Sequence, residues 1–211
     1  MAREKNYRQI IRIDGKNVFV EAMNNAFKIE KVLLNFCSYD DKTKKMTANL
    51  PIYLDFAEFF ALKQDVVSGR LHALAEAEKA KGAKYPKEIY LKQGGVSAKN
   101  LAARNQSRAD GMSLSRQMKI VPGMKFPFMV QGEQGKADEN AQGLIVPRYG
   151  GKPDDRVMVP MDGDTMKQFF LTIDAHIQAY LAATYQVIAE RDQEEIRKEM
   201  KAYEDKYFKK A

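Results

Sequence analysis

The densest run of like charge lies between Lys92 and Lys125, where Lys92, Lys99, Arg104, Arg108, Arg116, Lys119 and Lys125 are offset by Asp110 alone. That is a net +6 within 34 residues, nearly the whole excess of a chain whose formal charge is +7. A concentrated cationic excess attracts polyanions, and guanidinium and ammonium groups neutralise phosphates; the competing role of such a run is a solvated basic loop. Further cations, Lys28, Lys31 and Lys45 early in the chain and Arg148 and Arg156 late in it, stand in or beside strand-like segments. The same segments carry Phe36, Tyr39, Phe126, Phe128 and Tyr149. Exposed aromatic rings offer flat surfaces to unstacked bases, which single strands present and duplexes hide. Each ring has core packing as its alternative use, and base stacking needs only one or two of them exposed.

Other chemistry lacks its residues. His72 and His176 are far apart, and neither has a second histidine or a cysteine at ligand spacing. No phosphate loop of the G-x-x-x-x-G-K type and no G-x-G-x-x-G occurs, and Gly94-Gly95 by itself is weak evidence for a phosphate cradle. The carboxylate pairs Asp40-Asp41 and Asp154-Asp155 lie in turn-like segments, and Asp162 with Asp164 opens a helix, where acids cap amides. Cys37 is the one cysteine, so no intramolecular disulfide forms. The expectation is a non-catalytic protein with no metal and no cofactor.

The elements that must position these residues follow from composition and periodicity. At 45% apolar and 30% charged residues the chain is able to bury a core. No run approaches the ~20 apolar residues that span a bilayer, and no apolar leader is evident, so a cytoplasmic location is expected. Strands are predicted at 7–13 and 17–23 around an Asp14-Gly15 turn, at 26–39, and at 45–54 with Pro51 marking an edge. Asp55 caps a helix that Ser68-Gly69 interrupts before a second helical stretch, 71–81. Strands are predicted again at 88–93, 114–121, 125–131, 144–149 and 156–159, with 96–112 a mobile basic loop and 132–142 a long hairpin loop. A helix from Asp162 or Asp164 has an apolar face through Met166, Phe169, Phe170, Ile173, Ile177 and onward to Ile188. From Glu190 to Lys210 seven cations balance seven acids, the composition of an extended charged helix or a partner-seeking end.

An internal repeat organises these elements. Ile52-Tyr53-Leu54-Asp55, followed by the Phe59-Phe60 pair, matches Val157-Met158-Val159-Pro160-Met161-Asp162, followed by Phe169-Phe170. The fold class expected is α+β: two approximate ββββα units, at about 7–82 and 86–185, with antiparallel sheets each backed by a helix. Residues 1–185 would form one compact domain and 186–211 a charged helical tail. Three segments carry a family likeness: the strand-turn-strand VLLNFCSYDDKTKKMTANLPIYL from Val32 to Leu54, the helix entry DFAEFFALKQ from Asp55 to Gln64, and Leu144 to Leu181, where LIVPRY and RVMVP feed TMKQFFLTIDAHIQAYL. In this pattern the chain resembles the Whirly proteins and the related transcriptional-coactivator family. The resemblance spans 7–185 and implies a single-stranded DNA binder that works through sheet surfaces as an oligomer.

The functional expectation is thus a protein that binds single-stranded DNA, with RNA an open alternative. Its candidate contacts are the seventeen cations and aromatics named in the first paragraph, Asp110 aside and with Lys28 to Arg156 as the limits. The second reading is a protein-interaction or assembly module of a mobile element or phage, acting through the C-terminal helix.

Overall fold

The computed structural model describes the backbone of residues 6–207 and the side chains of residues 6–202. It is an α+β protein with two antiparallel sheets. The first is a meander of β1 (Gln9–Gly15), β2 (Val18–Met23), β3 (Lys31–Tyr39) and β4 (Met46–Asp55), in that spatial order. Helices α1 (Phe56–Val67) and α2 (Arg70–Ala80) follow. The second sheet comprises β5 (Tyr90–Val96), β6 (Ser113–Pro122), β7 (Phe128–Glu139), β8 (Ile145–Pro147) and β9 (Asp155–Met161), with α3 (Ala98–Ala103) between β5 and β6. α4 (Gly163–Tyr207) closes the chain. Among the described residues no helix is long and apolar enough to cross a membrane.

The second sheet departs from a simple four-strand unit because β7 is long enough to pair twice on one edge. Its first half, Phe128 to Gln134, pairs with β9, and its last residues, Ala137 to Glu139, pair with β8. The β8 arm is therefore an addition to a β5-β6-β7-β9 meander.

Local chemistry explains most boundaries. The first hairpin turns at Lys16-Asn17, two residues beyond the expected Asp14-Gly15, with Asn17 taking φ 59° in the left-handed region that Asn tolerates. The expected strand 26–39 begins instead as a 3₁₀ turn, Phe27–Ile29, and Glu30 at φ 54° redirects the chain into β3. In the β3–β4 turn Asp40 Oδ1 accepts from the Lys42 and Thr43 amides at 3.0 and 2.7 Å. Pro51 sits inside β4, which pairs only with β3, so its missing N–H costs the ladder nothing on the open edge. Asp55 and Glu58 form a capping box on α1, and Gly69 at φ 80° separates α1 from α2. Asp162 caps α4 by accepting from the Thr165 amide at 2.7 Å.

The segment 132–142, expected as a loop because it reads GEQGKADEN, is strand as far as Glu139. Each of its unpromising residues is accommodated by a neighbour. Gly132 faces the Phe36 ring so closely that a Cβ would stand 2.7 Å from it, and Gly135 lies under Tyr149 in the same way at 2.6 Å. Glu133, almost wholly buried, is held by Lys119 and Arg156. Conversely β7 begins at Phe128 rather than at Lys125, which lies in the exposed turn before it, and the expected mobile loop 96–112 contains α3, capped by Ser97 Oγ on the Asn100 amide.

Residues up to Ile173 form one compact unit, and α4 from Asp174 onward forms a second. In the first unit the inward face of the first sheet carries Val20, Val32, Leu34, Phe36, Leu50, Ile52 and Leu54, all buried. The two sheets touch: β9 packs on β1, β2 and β3, and β4 packs on β6 and β7. Phe59 stacks on Phe170 with centroids 5.4 Å apart, joining α1 to the start of α4. These two phenylalanine pairs are the ones that marked the repeat in the sequence. The apolar face expected along α4 as far as Ile188 is buried at Met166, Phe169, Phe170, Ile173 and Ile177, while Tyr185 and Ile188 are exposed.

Candidate functional site

β4 and β5 are each an edge strand of their sheet, and period-two alternation decides what each presents. In β4, Leu50, Ile52 and Leu54 point inward, which leaves Pro51, Tyr53 and Asp55 on the other face. In β5, Lys92 and Gly94 lie opposite Met118 and Arg116 of β6. Between these edges runs a groove of about 530 Å³ whose lining includes Ile29, Lys31, Pro51, Tyr53, Asp55, Lys92, Gly94, Gly95, Arg104 and Arg116. Gly94 has only the Arg116 carbonyl near its missing Cβ, at 3.6 Å, so the wall there is bare backbone.

The groove is electrostatically two-ended. Near the start of α1 the charges are matched: Lys31 Nζ is 2.8 Å from Asp55 Oδ1, and Lys92 Nζ holds both Glu58 oxygens with Asp55 at 3.9 Å. The Lys31 hydrogen bond is the main reason the Asp55 carboxyl lies below its usual range. At the other end Arg104 and Arg116 have no carboxylate partner among the described residues. Arg116 is half-buried, and among the described residues its side chain makes one long hydrogen bond, Nε donating to Gln134 Oε1 at 3.4 Å. Burial lowers its pKa from the usual guanidinium value; the Tyr53 phenol opposes that shift and the like charge of Arg104 adds to it. All three side chains line the same groove. A half-buried guanidinium beside a second cation carries an uncompensated desolvation cost that a bound anion relieves. Tyr53 is 43% exposed, so its ring is open to the same space.

The expected contacts divide by location. Lys31, Lys92, Arg104 and Arg116 meet in the groove. Lys99 is exposed on α3, and Lys28 is exposed in the 3₁₀ turn beside Ile29. Lys119 and Arg156 lie on the other face of the second sheet, their charge taken up by Glu133 at 2.8 and 2.6 Å, with Gln131 Nε2 donating to the same carboxylate at 2.6 Å. Tyr149 covers Gly135 there and donates its hydroxyl to Gln117 Oε1 at 3.1 Å, and Arg148 pairs with Asp138. Lys45, Lys125 and Phe126 stand in exposed turns, and Tyr39 is half-buried at the end of β3. Phe36 and Phe128 are core residues, 0% and 3% exposed, and offer no face to a base. Their segments alternate inward at these positions, which places the Phe36 ring against Gly132 between the sheets and the Phe128 ring edge-on to His72 of α2.

Arg108 is a structural cation. It bridges Asp110 and Asp154, with contacts of 2.7 and 2.6 Å, and so ties the α3–β6 loop to the loop before β9. Hydrogen bonds from Arg108, then the Met112 amide, hold the Asp110 carboxyl down at about 2. Its value is about 3.9 in an unfolded chain, so the contribution of this clamp is complete above that pH and is lost as pH falls towards 2. A carboxyl-detected NMR titration is expected to place the Asp110 midpoint near 2, and Arg108→Ala to return it towards 4. An unchanged midpoint in the variant would remove Arg108 as the cause.

Tyr53 is not among the contacts expected from the sequence, because IYL reads as buried strand, and Pro51 reads there only as an edge marker. The alternation of Leu50, Ile52 and Leu54, with proline marking the edge, was the signal that put Tyr53 outward. His72 and His176 are exposed, and among the described residues no group of three or more His, Cys, Asp or Glu is placed to hold a metal ion. Burial pushes the Cys37 thiol up to about 11, with the Glu21 charge adding to it. Comparison with protein-family models, curated proteins and solved structures finds no match.

Proposed function

We propose that the chain is a non-catalytic single-stranded nucleic-acid-binding protein, with DNA as its first ligand, and that the strand lies in the groove between β4 and β5. The observation that carries this reading is that Arg104 and Arg116, both without a carboxylate partner among the described residues, share a groove with the open ring of Tyr53. The guanidinium groups take phosphates and the phenol takes a base face. A duplex keeps its bases stacked inside, so it gains the cations but not the ring. The two strand-rich, helix-closed units, the arrangement that the Whirly resemblance implies, support the same reading. Lys28 and Lys99 extend the cationic track at the margins, whereas Lys119, Arg148 and Arg156, already paired, serve the fold first.

The test is fluorescence anisotropy of the nucleic-acid-free protein with labelled oligo-dT, a matched duplex and single-stranded RNA, each at two salt concentrations. Preference for oligo-dT over duplex is expected, with log K falling against log salt by about 0.7 per phosphate contacted. Absence of oligo-dT binding at low salt would overturn the proposal, and equal affinity for RNA would widen the ligand to single strands of both kinds.

A further inference from the structure

The charges that line the groove between β4 and β5 are gathered in one place. Lys31 and Lys92 are matched by Asp55 and Glu58, so that part of the lining sums to zero. Arg104 and Arg116, with no carboxylate partner among the described residues, leave two positive charges together. The interior of a strand carries one negative charge per phosphodiester and is best followed by cations spaced along its path. A terminal phosphomonoester is a different ligand. It carries a charge of about −1.5 to −2 at pH 7 and three strong acceptor oxygens. Two guanidinium groups at one point suit that group in charge and in donor number.

The surroundings favour the same ligand. Arg116 is half-buried, and its hydrogen bond to Gln134 is long, at 3.4 Å, so it has donors left to give. A dianion offsets the desolvation of such a guanidinium better than a monoanion does. Gly94 lies opposite Arg116 in the β5–β6 ladder, and residues directly opposite share a face. A side chain at position 94 would stand beside that of Arg116, and glycine leaves the approach open. The groove, at about 530 Å³, has the size of a cleft that encloses a small-molecule ligand. It takes a nucleotide whole but only a short part of a strand.

We propose that the groove takes the phosphorylated end of a single strand, with the terminal phosphomonoester held by Arg104 and Arg116 and the terminal base on Tyr53. This rests on the groove being the single-strand site. An internal phosphodiester still meets the arginine pair, but it brings one negative charge to two positive ones. Lys28 and Lys99, exposed at the margins, serve the phosphates that follow.

The test is competition anisotropy on the full chain with one oligo-dT in four forms: without a terminal phosphate, with a 5′-phosphate, with a 3′-phosphate, and closed into a circle. A phosphate on at least one end is expected to tighten binding about tenfold over the unphosphorylated strand. The circle should bind no better than the unphosphorylated strand. Arg104→Gln, at an exposed position, should abolish the difference between phosphorylated and unphosphorylated strands, whereas Lys125→Gln, at an exposed position outside the groove, should keep it. Thymidine monophosphate as a competitor separates a free nucleotide from a strand end, and it should bind more weakly than the phosphorylated strand. Equal affinity for all four forms, a phosphate preference that survives Arg104→Gln, or tighter binding of the mononucleotide would each overturn the proposal. Failure of the single-strand reading itself looks different, because then none of the four forms binds.

Discussion

Arg104→Glu with Arg116→Glu is expected to weaken oligo-dT binding by about 100-fold or more. A hydrogen bond to a charged group contributes about 1.5–3 kcal/mol, so losing two amounts to about 3–6 kcal/mol before repulsion is counted. The salt dependence should flatten as well, by about 0.7 in log-log slope for each phosphate no longer met. The double reversal replaces one like-charged pair by another, so affinities are compared on protein shown by urea unfolding to be folded; Arg104→Gln with Arg116→Gln, which does remove the repulsion, should weaken binding too and leave stability unchanged or raised. Arg108→Glu is the control. It reverses one more charge of the same basic run but strikes the clamp on Asp110 and Asp154, so it should lower stability while the folded protein keeps its affinity. Tyr53→Ala is expected to cost about 1–3 kcal/mol of binding and Tyr53→Phe little, since the ring and not the hydroxyl meets the base. Equal losses from Arg108→Glu and the groove variant, measured by anisotropy on folded protein, would reduce the site to diffuse net charge.

Phe36→Ala is expected to destabilise the protein by about 3–5 kcal/mol, because the ring is fully buried and its loss leaves a cavity between the sheets. Urea unfolding measures this directly. The opposing position gives the complementary result. A Cβ on Gly132 would meet Phe36 Cγ at 2.7 Å, with two further ring-side atoms at 2.9 Å, and β7 is flanked by strands on both sides at that point. Gly132→Ala should therefore cost about 1–3 kcal/mol by overpacking. Combined with Phe36→Leu, the total should be smaller than the sum of the two single changes, the signature of two residues sharing one space. Strict additivity would show that the two sheets do not meet there. Phe36→Leu should also leave oligo-dT affinity unchanged, which separates a core ring from a base-stacking one.

The order of strands and helices was written in local sequence, because each signal there is short-range. The capping pair Asp55 and Glu58, the Ser68-Gly69 break, the Asp162 cap and the proline of an edge strand each act within a few residues. The inward alternation of Leu50, Ile52 and Leu54 is equally local, and it already implied that Tyr53 faces the other way. The strand character of 132–139 was hidden, since its glycines and charges are favourable only beside particular partners. Gly132 needs the Phe36 ring, Gly135 needs Tyr149, and Glu133 needs Lys119 and Arg156, residues from three other strands and the β8–β9 loop.

The candidate site shows the same division. Composition placed an excess of cations between Lys92 and Lys125, and charge is additive along a chain, so the sequence by itself determined the basic character. Which cations remain available is a property of neighbours in space. Only the tertiary structure matched Lys92 to Glu58, Arg108 to Asp154 and Lys119 to Glu133, and left Arg104 and Arg116 in the groove with Tyr53 and with no carboxylate partner among the described residues. Periodicity tells a residue which face it occupies, but the ion pair or ring across from it comes from elements far away in the chain, and that is decided when the sheets pack.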